Sequence, residues 1–433
     1  MKKLLMIAYY YPPLADVGGV RALAFSQLVR EFGWEPYVVS VRNPDKVACI
    51  LGDTPPPEGI KTYYTRSLIQ LTGLTGRLNG LLARILRLFG IRLNRDLIQD
   101  LLCMPDPFIG WIPLTVLKGL KLIKTNRIDL IYVSCKPFSS ALIGLLLKFL
   151  TQKPLVLELR DPVSPLIFGF KDRYYHRLPS FRILRKLEEI ILKHADRLIL
   201  VTEETRELYE SFFPFILPKT SVIYNGFMEE YFPRQPEPFK KFTILYSGNF
   251  YADLIAPDPF FRAVRRIITD DEAMRKKLEF LYVGKKAPWF SEMMEKYNLQ
   301  DVMSSTGHVS REKSIEYISR SSLLLLRIVP RMISTKLFEG LAAGVPILAL
   351  ISEGEAARLI RRYSSAFYSI VDPNESNEIV ASIKHAYEKW EKKELNSLRN
   401  PEFYKEFNKR NLTSKFVENL DEVLSAHQDK GKV

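Results

Sequence analysis

The chain has 433 residues, 47% of them hydrophobic and 26% charged, the composition of a folded protein with room for two or three domains and not that of a disordered or fibrous chain. Lys and Arg outnumber Asp and Glu by 63 to 49, a formal charge of +14, so an anionic partner is expected: nucleic acid, an acidic membrane or a phosphorylated substrate. No zinc knuckle, recognisable nucleic-acid motif or aromatic-basic single-strand signature is present, which argues against nucleic acid. Cys49, Cys103 and Cys135 lack metal-ligand spacing and leave one over in any disulfide scheme, pointing to a reduced, cytoplasmic protein. The apolar run after Lys2 and Lys3 is too short for a signal peptide, and residues 141–150 are too few to span a bilayer.

In chain order, residues 4–9 read as a first strand, followed by a loop whose Gly18 and Gly19 open a helix over 21–32 and then a strand at 36–41. Leu78, Leu81, Leu82, Ile85, Leu86 and Phe89 recur at helical spacing among Arg66, Arg77, Arg84, Arg87, Arg92 and Arg95. That segment near 66–95 suits an anionic membrane surface, or equally a core-facing helix with a solvated basic side. Helices at 113–125, 138–150 and 178–194 then alternate with strands at 128–134, 155–159, 197–202 and 221–224. The proline-rich, charged stretch 229–241 reads as a linker. Beyond it, strands at 242–247, 278–283, 322–326, 346–350 and 367–371 form a second series, and 403–426 reads as a final helix. The pattern is that of two successive α/β units with parallel sheets, whose ligands bind at the carboxyl ends of the strands.

The most informative stretch is Ser334-Thr335-Lys336-Leu337-Phe338-Glu339-Gly340, followed by Leu341-Ala342-Ala343-Gly344-Val345-Pro346. A helix capped by Ser334 or Thr335 aims backbone N–H groups and its positive dipole end at an anion. Lys336 in the first turn opposes that dipole unless an anion is near, and Glu339 projects from roughly the same face, so the pair suits a phosphate and a sugar hydroxyl. A capped surface helix leading into a buried strand is the competing reading. Ser247-Gly248-Asn249 and Gly284 with Lys285 and Lys286 each end a strand at a glycine, where a ligand can approach. Gly18 and Gly19 match neither the dinucleotide fingerprint nor a P-loop. Asp161 is placed to bind an acceptor hydroxyl or act as a base, with an Arg160–Asp161 ion pair as the alternative. Arg327 and Arg331 suit a diphosphate, since guanidinium binds phosphate oxygens bidentately. The histidines are dispersed and no Asp-x-Asp or Cys-x-x-Cys occurs, so no metal site is expected.

Taken in order, Pro12-Pro13 with Gly18-Gly19, Leu159-Arg160-Asp161-Pro162, Tyr224-Asn225-Gly226-Phe227, Ser247-Gly248-Asn249 and the segment from Ser334 to Pro346 resemble glycosyltransferase family 4, the group 1 glycosyltransferases with the GT-B fold. The resemblance covers nearly the whole chain. It implies an α/β protein of two Rossmann-like doubly wound domains facing a cleft. Residues 1–232 would bind the acceptor, with the helix 403–426 packing back on them, and residues 233–402 would bind a nucleotide-diphospho-sugar donor. It also implies retaining, metal-independent transfer of a hexosyl or related sugar, with no cofactor besides the donor substrate. Carried over by position, Glu339 would bind the ribose hydroxyls, and Lys336, Ser334, Thr335, Ser247, Gly248 and Asn249 the diphosphate. Gly19, next to Gly18, would approach the phosphate from the other domain, and the backbone at Gly307, His308 and Val309 would lie near the base; Gly18 and the strand-end Gly284 are counted with these donor-binding residues.

The chain departs from the family where a glutamate eight positions before Glu339 is replaced by Arg331, and where Val163 follows Pro162 in place of tryptophan. The expected catalytic residues are therefore Asp161, Arg331 and Lys336, with Arg327 assisting at the diphosphate. Together with the basic segment, the family points to a glycan or polyprenyl-linked acceptor, to peripheral association with the cytoplasmic face of the inner membrane, and to cell-surface polysaccharide biosynthesis. A non-catalytic nucleotide-sugar-binding scaffold at the membrane surface and a sugar-nucleotide epimerase on the same fold are the other classes the sequence allows.

Overall fold

The computed structural model describes residues 1–14, 17–44, 55–69, 84, 87–88, 104–163, 179–248, 250, 257–285, 288–330 and 333–430. The chain divides into two units, one made of Met1–Tyr224 with Thr413–Val433 and the other of Asn225–Leu412.

The first unit is built on seven parallel strands: β1 (Lys2–Ala8), β2 (Trp34–Val41), β3 (Lys61–Thr65), β4 (Leu130–Cys135), β5 (Leu155–Leu159), β6 (Arg197–Leu200) and β7 (Thr220–Val222), in the order β3-β2-β1-β4-β5-β6-β7. Strands such as Leu130–Cys135 and Leu155–Leu159 are buried at every position. That is why their sequences are near-continuous apolar runs without the alternation of a one-sided sheet. Strand order reverses between β1 and β4, the kind of switch point at which doubly wound sheets open a crevice. The diglycine loop leaves β1 at this point.

The second unit carries six parallel strands, β8 (Phe242–Ser247), β9 (Leu278–Val283), β10 (Met303–Ser305), β11 (Leu323–Arg327), β12 (Ile347–Leu350) and β13 (Tyr368–Val371), in the order β10-β9-β8-β11-β12-β13. Its switch point lies between β8 and β11, so Ser247 and Arg327 are the last residues of the two strands that flank it. The α/β reading of both halves holds, and β8 and β9 fall where the sequence places them to the residue. Strands β3 and β10 are additions at sheet edges.

Two sequence expectations change. The proline-rich stretch is no linker between the units, because the chain divides at Tyr224 and Asn225, ahead of it. Phe239 donates its N–H to the Arg320 carbonyl at 3.1 Å and its ring lies under the Arg320 guanidinium at 4.5 Å, which fastens this stretch to the second unit. The single final helix is two helices, Pro401–Phe407 and Lys409–Lys430, and from Thr413 onward the second belongs to the first unit. Phe416 stacks on Phe25 with centroids 4.3 Å apart, and Asp421 accepts from the Trp34 indole N–H at 2.9 Å and from Lys2 at 2.6 Å.

Beneath this helix the first unit holds a buried polar cluster. Arg21 Nε donates to Glu158 Oε1 at 2.6 Å with both side chains almost fully buried. Tyr132 donates to Glu158 Oε2 at 2.8 Å, and Arg21 spends its other nitrogens on the carbonyls of Ile223 and Tyr224. Glu158 thus ties the helix Val17–Leu28 to β4, β5 and the segment after β7. Cys135 is buried and its thiol is pushed well up by that burial; Cys49 and Cys103 lie outside the described residues. Among the described residues no helix is long and apolar enough to cross a membrane. Of the segment near 66–95, residues 70–83, 85–86 and 89–95 lie outside the described residues.

Candidate functional site

The second unit places its chemistry at the carboxyl ends of β8, β9 and β11. The helix Thr335–Ala343 starts as the sequence indicates, with Ser334 as N-cap accepting the Lys336 N–H at 3.2 Å, and it ends at Gly344 in the left-handed conformation. One turn in, Glu339 is completely buried. Lys336 Nζ lies 2.9 Å from its Oε2, and Arg311 approaches its Oε1 at 2.7 Å. Burial by itself would raise the Glu339 carboxyl, and the combined pull of Lys336, Arg311 and Lys409 outweighs it, holding the group below the ordinary glutamate range.

That direction fixes the sign of a pH effect. A carboxyl whose folded-state pKa is depressed stabilises the fold above its unfolded value, here 4.5, and loses that contribution as pH falls through the folded value. The stability difference between the wild type and Glu339→Gln is therefore expected to stay constant from neutral pH down to about pH 5 and to shrink below that. Denaturant midpoints across this range check it; a difference already vanishing near pH 6 would contradict it.

The Lys336 side chain lies over the loop that follows β8. Gly248 has φ +102, a conformation side chains rarely adopt, and an added Cβ there would stand 3.5 Å from Lys336 Cε. At Gly284 an added Cβ would meet the Gly248 carbonyl at 2.7 Å. Only glycine lets the two loops sit this close, so Gly248, Gly284 and Lys336 form one continuous surface. Ser247 is buried with its hydroxyl 2.7 Å from that of Ser314. Arg311 and Ser314, three residues apart on the helix Arg311–Arg320, are the partners that sequence reading missed. The one local signal was Ser310, which caps that helix by accepting the Lys313 N–H at 3.2 Å.

Arg327 is engaged differently from the expectation. It is buried with its guanidinium carbon 3.7 Å from the Phe250 ring centroid, and it donates to the Phe250 carbonyl at 2.7 Å. Burial pushes its pKa down to about 10. Phe250 in turn stacks on Trp289 at 4.1 Å, so Arg327 braces the loop after β8. His308 is exposed and Val309 half-buried just past β10, beside Gly307 at φ +75. Asn249 and Arg331 lie outside the described residues.

In the first unit, Gly18 and Gly19 sit in the first turn of the helix Val17–Leu28, and an added Cβ on Gly19 would press on the Tyr10 carbonyl at 3.2 Å. Arg160 donates to the Gly18 carbonyl. Asp161 pairs with Lys136 at 2.9 Å in a half-exposed ion pair, where the alternative sequence reading had Arg160 as its partner. The same unit holds a cavity of about 670 Å³ bounded by Pro13, Leu14, Arg42, Tyr63, Tyr64 and Lys118. Tyr64 donates to the Pro12 carbonyl at 2.6 Å and Lys118 lies 4.2 Å over the Tyr63 ring. Two tyrosines and two cations around an open volume suit a sugar ring bearing an anionic substituent.

The model for Glycosyltransferase Family 4 matches residues 76–230, and that for Glycosyl transferases group 1 matches residues 241–389. No curated protein sequence matches the chain. Among solved structures, the sucrose-phosphate synthase of Thermosynechococcus elongatus is similar with TM-score 0.66 at 15% identity, over 98% of this chain and 100% of that one. The HepE protein of Anabaena, solved in complex with UDP-glucose, is similar with TM-score 0.63 at 14% identity, over 98% and 100%. A structure from Listeria monocytogenes described as a candidate UDP-N-acetylglucosamine 2-epimerase is similar with TM-score 0.54 at 14% identity, over 96% and 95%. At such identities these likenesses bear on the fold, two Rossmann-like units of the GT-B type. With one matching model on each half, together covering more than half of its length, the chain belongs to the group 1 glycosyltransferases.

Proposed function

We infer that the protein is a retaining glycosyltransferase that moves a sugar from a nucleotide-diphospho-sugar to a glycan or lipid-linked acceptor at the cytoplasmic membrane face, in cell-surface polysaccharide biosynthesis. The observation that carries this reading is the buried Glu339 carboxylate bracketed by Lys336 and Arg311 at the head of the helix Thr335–Ala343. A carboxylate held ionised by two cations is suited to accept hydrogen bonds from a ribose diol. The same cations, with the glycine surface of Gly248 and Gly284, suit the adjoining diphosphate. No protein nucleophile is required, because the dominant contribution would be stabilisation of the departing diphosphate by fixed donors. The HepE complex with UDP-glucose supports a uridine-diphospho-sugar as the first donor to try. Asp161 and the cavity beside Tyr63 and Tyr64 are assigned to the acceptor, and Ser334, Thr335, Ser247, Asn249, His308 and Val309 to the donor. Arg331 is assigned to the departing diphosphate.

Incubation of the purified protein with a panel of nucleotide-diphospho-sugars, with and without a lipid extract, is the test. Acceptor-dependent release of the nucleotide diphosphate, with product identified by mass spectrometry, is the expected result. Isomerised donor without acceptor dependence would mark an epimerase, the activity ascribed to the Listeria protein of similar fold. Binding without turnover across the panel would mark a non-catalytic scaffold.

A further inference from the structure

We propose that the first unit carries a second, separate binding surface: a face of three helices, Ile112–Asn126, Ser139–Thr151 and Pro179–His194, that docks on an anionic lipid bilayer. The crossovers from β4 to β5 and from β5 to β6 run in one direction along the sheet. Their usual handedness sets the helices Ser139–Thr151 and Pro179–His194 side by side on one face. Contacts join all three. Leu147 fills the space beside Gly119, where an added Cβ would stand 2.7 Å from it, and the Phe149 ring meets the His194 ring at 5.0 Å.

The outward side of this layer is apolar to an extent that solvent does not explain. Leu117 is 63% exposed, Phe149 47%, Leu150 61% and Ile183 55%, with Leu146 and Ile190 beside them. Phe215 and Leu217 extend the patch, held against the end of the third helix by Lys219, which donates to the Lys193 carbonyl at 2.8 Å, and by Lys193 over the Phe215 ring. Among the described residues of the second unit, the large hydrophobic side chains this exposed are Tyr368 and Leu398 alone. Contiguous exposed apolar surface of this kind marks a docking site.

The charges choose the occupant. Ile112–Asn126 carries no acid, and of its lysines Lys118 faces the Tyr63 ring while Lys121 and Lys124 are exposed; Ser139–Thr151 also carries no acid, and its Lys148 is paired with Asp196. Pro179–His194 carries Arg182, Arg185, Lys186 and Lys193 against Glu188 and Glu189. Glu188 is buried against Tyr209, and Glu189 is taken up by Lys186 and Lys193. A second copy of the chain would bring cations onto cations. A bilayer with acidic headgroups meets the cations with opposite charge and accepts Leu and Phe side chains below them. This surface involves none of the segment near 66–95. It deepens the proposed function by giving the acceptor-binding unit a lipid partner, and rests on that reading for its purpose only.

Flotation with vesicles of phosphatidylcholine and phosphatidylglycerol, without donor or acceptor, tests binding independently of sugar transfer. The wild type is expected to float at low salt, to be released by high salt, and to ignore phosphatidylcholine alone. With each basic residue near the surface contributing as expected, Lys121→Glu with Lys124→Glu should bind at least about 30-fold more weakly. Phe149→Ser with Leu150→Ser should also lose binding, while Arg84→Glu with Arg87→Glu should retain it. Circular dichroism and donor hydrolysis serve as checks that each variant is folded. Wild-type flotation by both patch variants would overturn the proposal. So would a patch variant that keeps vesicle binding while converting a dimer to a monomer by sedimentation.

Discussion

Lys336→Ala is expected to lower the rate of sugar transfer by roughly 10²–10³-fold, the usual consequence of removing one fixed donor from a developing negative charge. The structure makes this a clean experiment. Lys336 keeps a quarter of its side chain in solvent, so its removal leaves the fold intact, and Arg311 remains to hold Glu339. The loss should fall on kcat more than on KM, because the diphosphate gains charge as the sugar leaves. Turnover within a few-fold of wild type would sink the assignment of the diphosphate to this helix. Glu339→Ala is a less informative variant, since truncation of a fully buried carboxylate leaves two cations without their partner. Glu339→Gln keeps the shape and separates loss of charge from loss of packing.

The largest effect on stability is expected at Arg21. Its truncation to alanine would strand the Glu158 carboxylate in a site with no solvent exposure, and would free the carbonyls of Ile223 and Tyr224 as well. Breaking a buried pair from one side costs about 3–5 kcal/mol. Denaturant unfolding of Arg21→Ala should show a loss of that size. Arg21→Met combined with Glu158→Leu should recover most of it, because the uncompensated charge is then gone. A single-variant loss below about 1 kcal/mol would mean that water reaches the cluster.

How much of this was legible in the sequence follows from the range of the interactions involved. The buried strands were legible because a sheet covered on both faces needs uninterrupted apolar runs, and Phe242–Ser247 and Leu278–Val283 are such runs. Lys61–Thr65 escaped notice because an edge strand needs no apolar run, and it is only partly buried; with it went Tyr63 and Tyr64 of the cavity. The Ser334 cap and the Gly344 stop were legible because both are local backbone requirements. Arg311 was not, since its carboxylate partner lies on another helix and the Ser310 cap marks only where its own helix starts. The stretch 229–241 misled because proline and charge describe exposure of the chain, whereas the Phe239 ring against Arg320 decides where it is fixed.

The return of Thr413–Val433 to the first unit has a consequence for how the chain is made. A ribosome delivers Met1–Tyr224 first, but Phe25 and Trp34 have no Phe416 or Asp421 to close over them until the whole second unit has been synthesised. At about 5–20 residues per second that interval is on the order of 10–40 s. During it the first unit must persist as a nascent, incomplete body, so factors that guard nascent chains should matter more for the yield of this protein than its final stability would suggest.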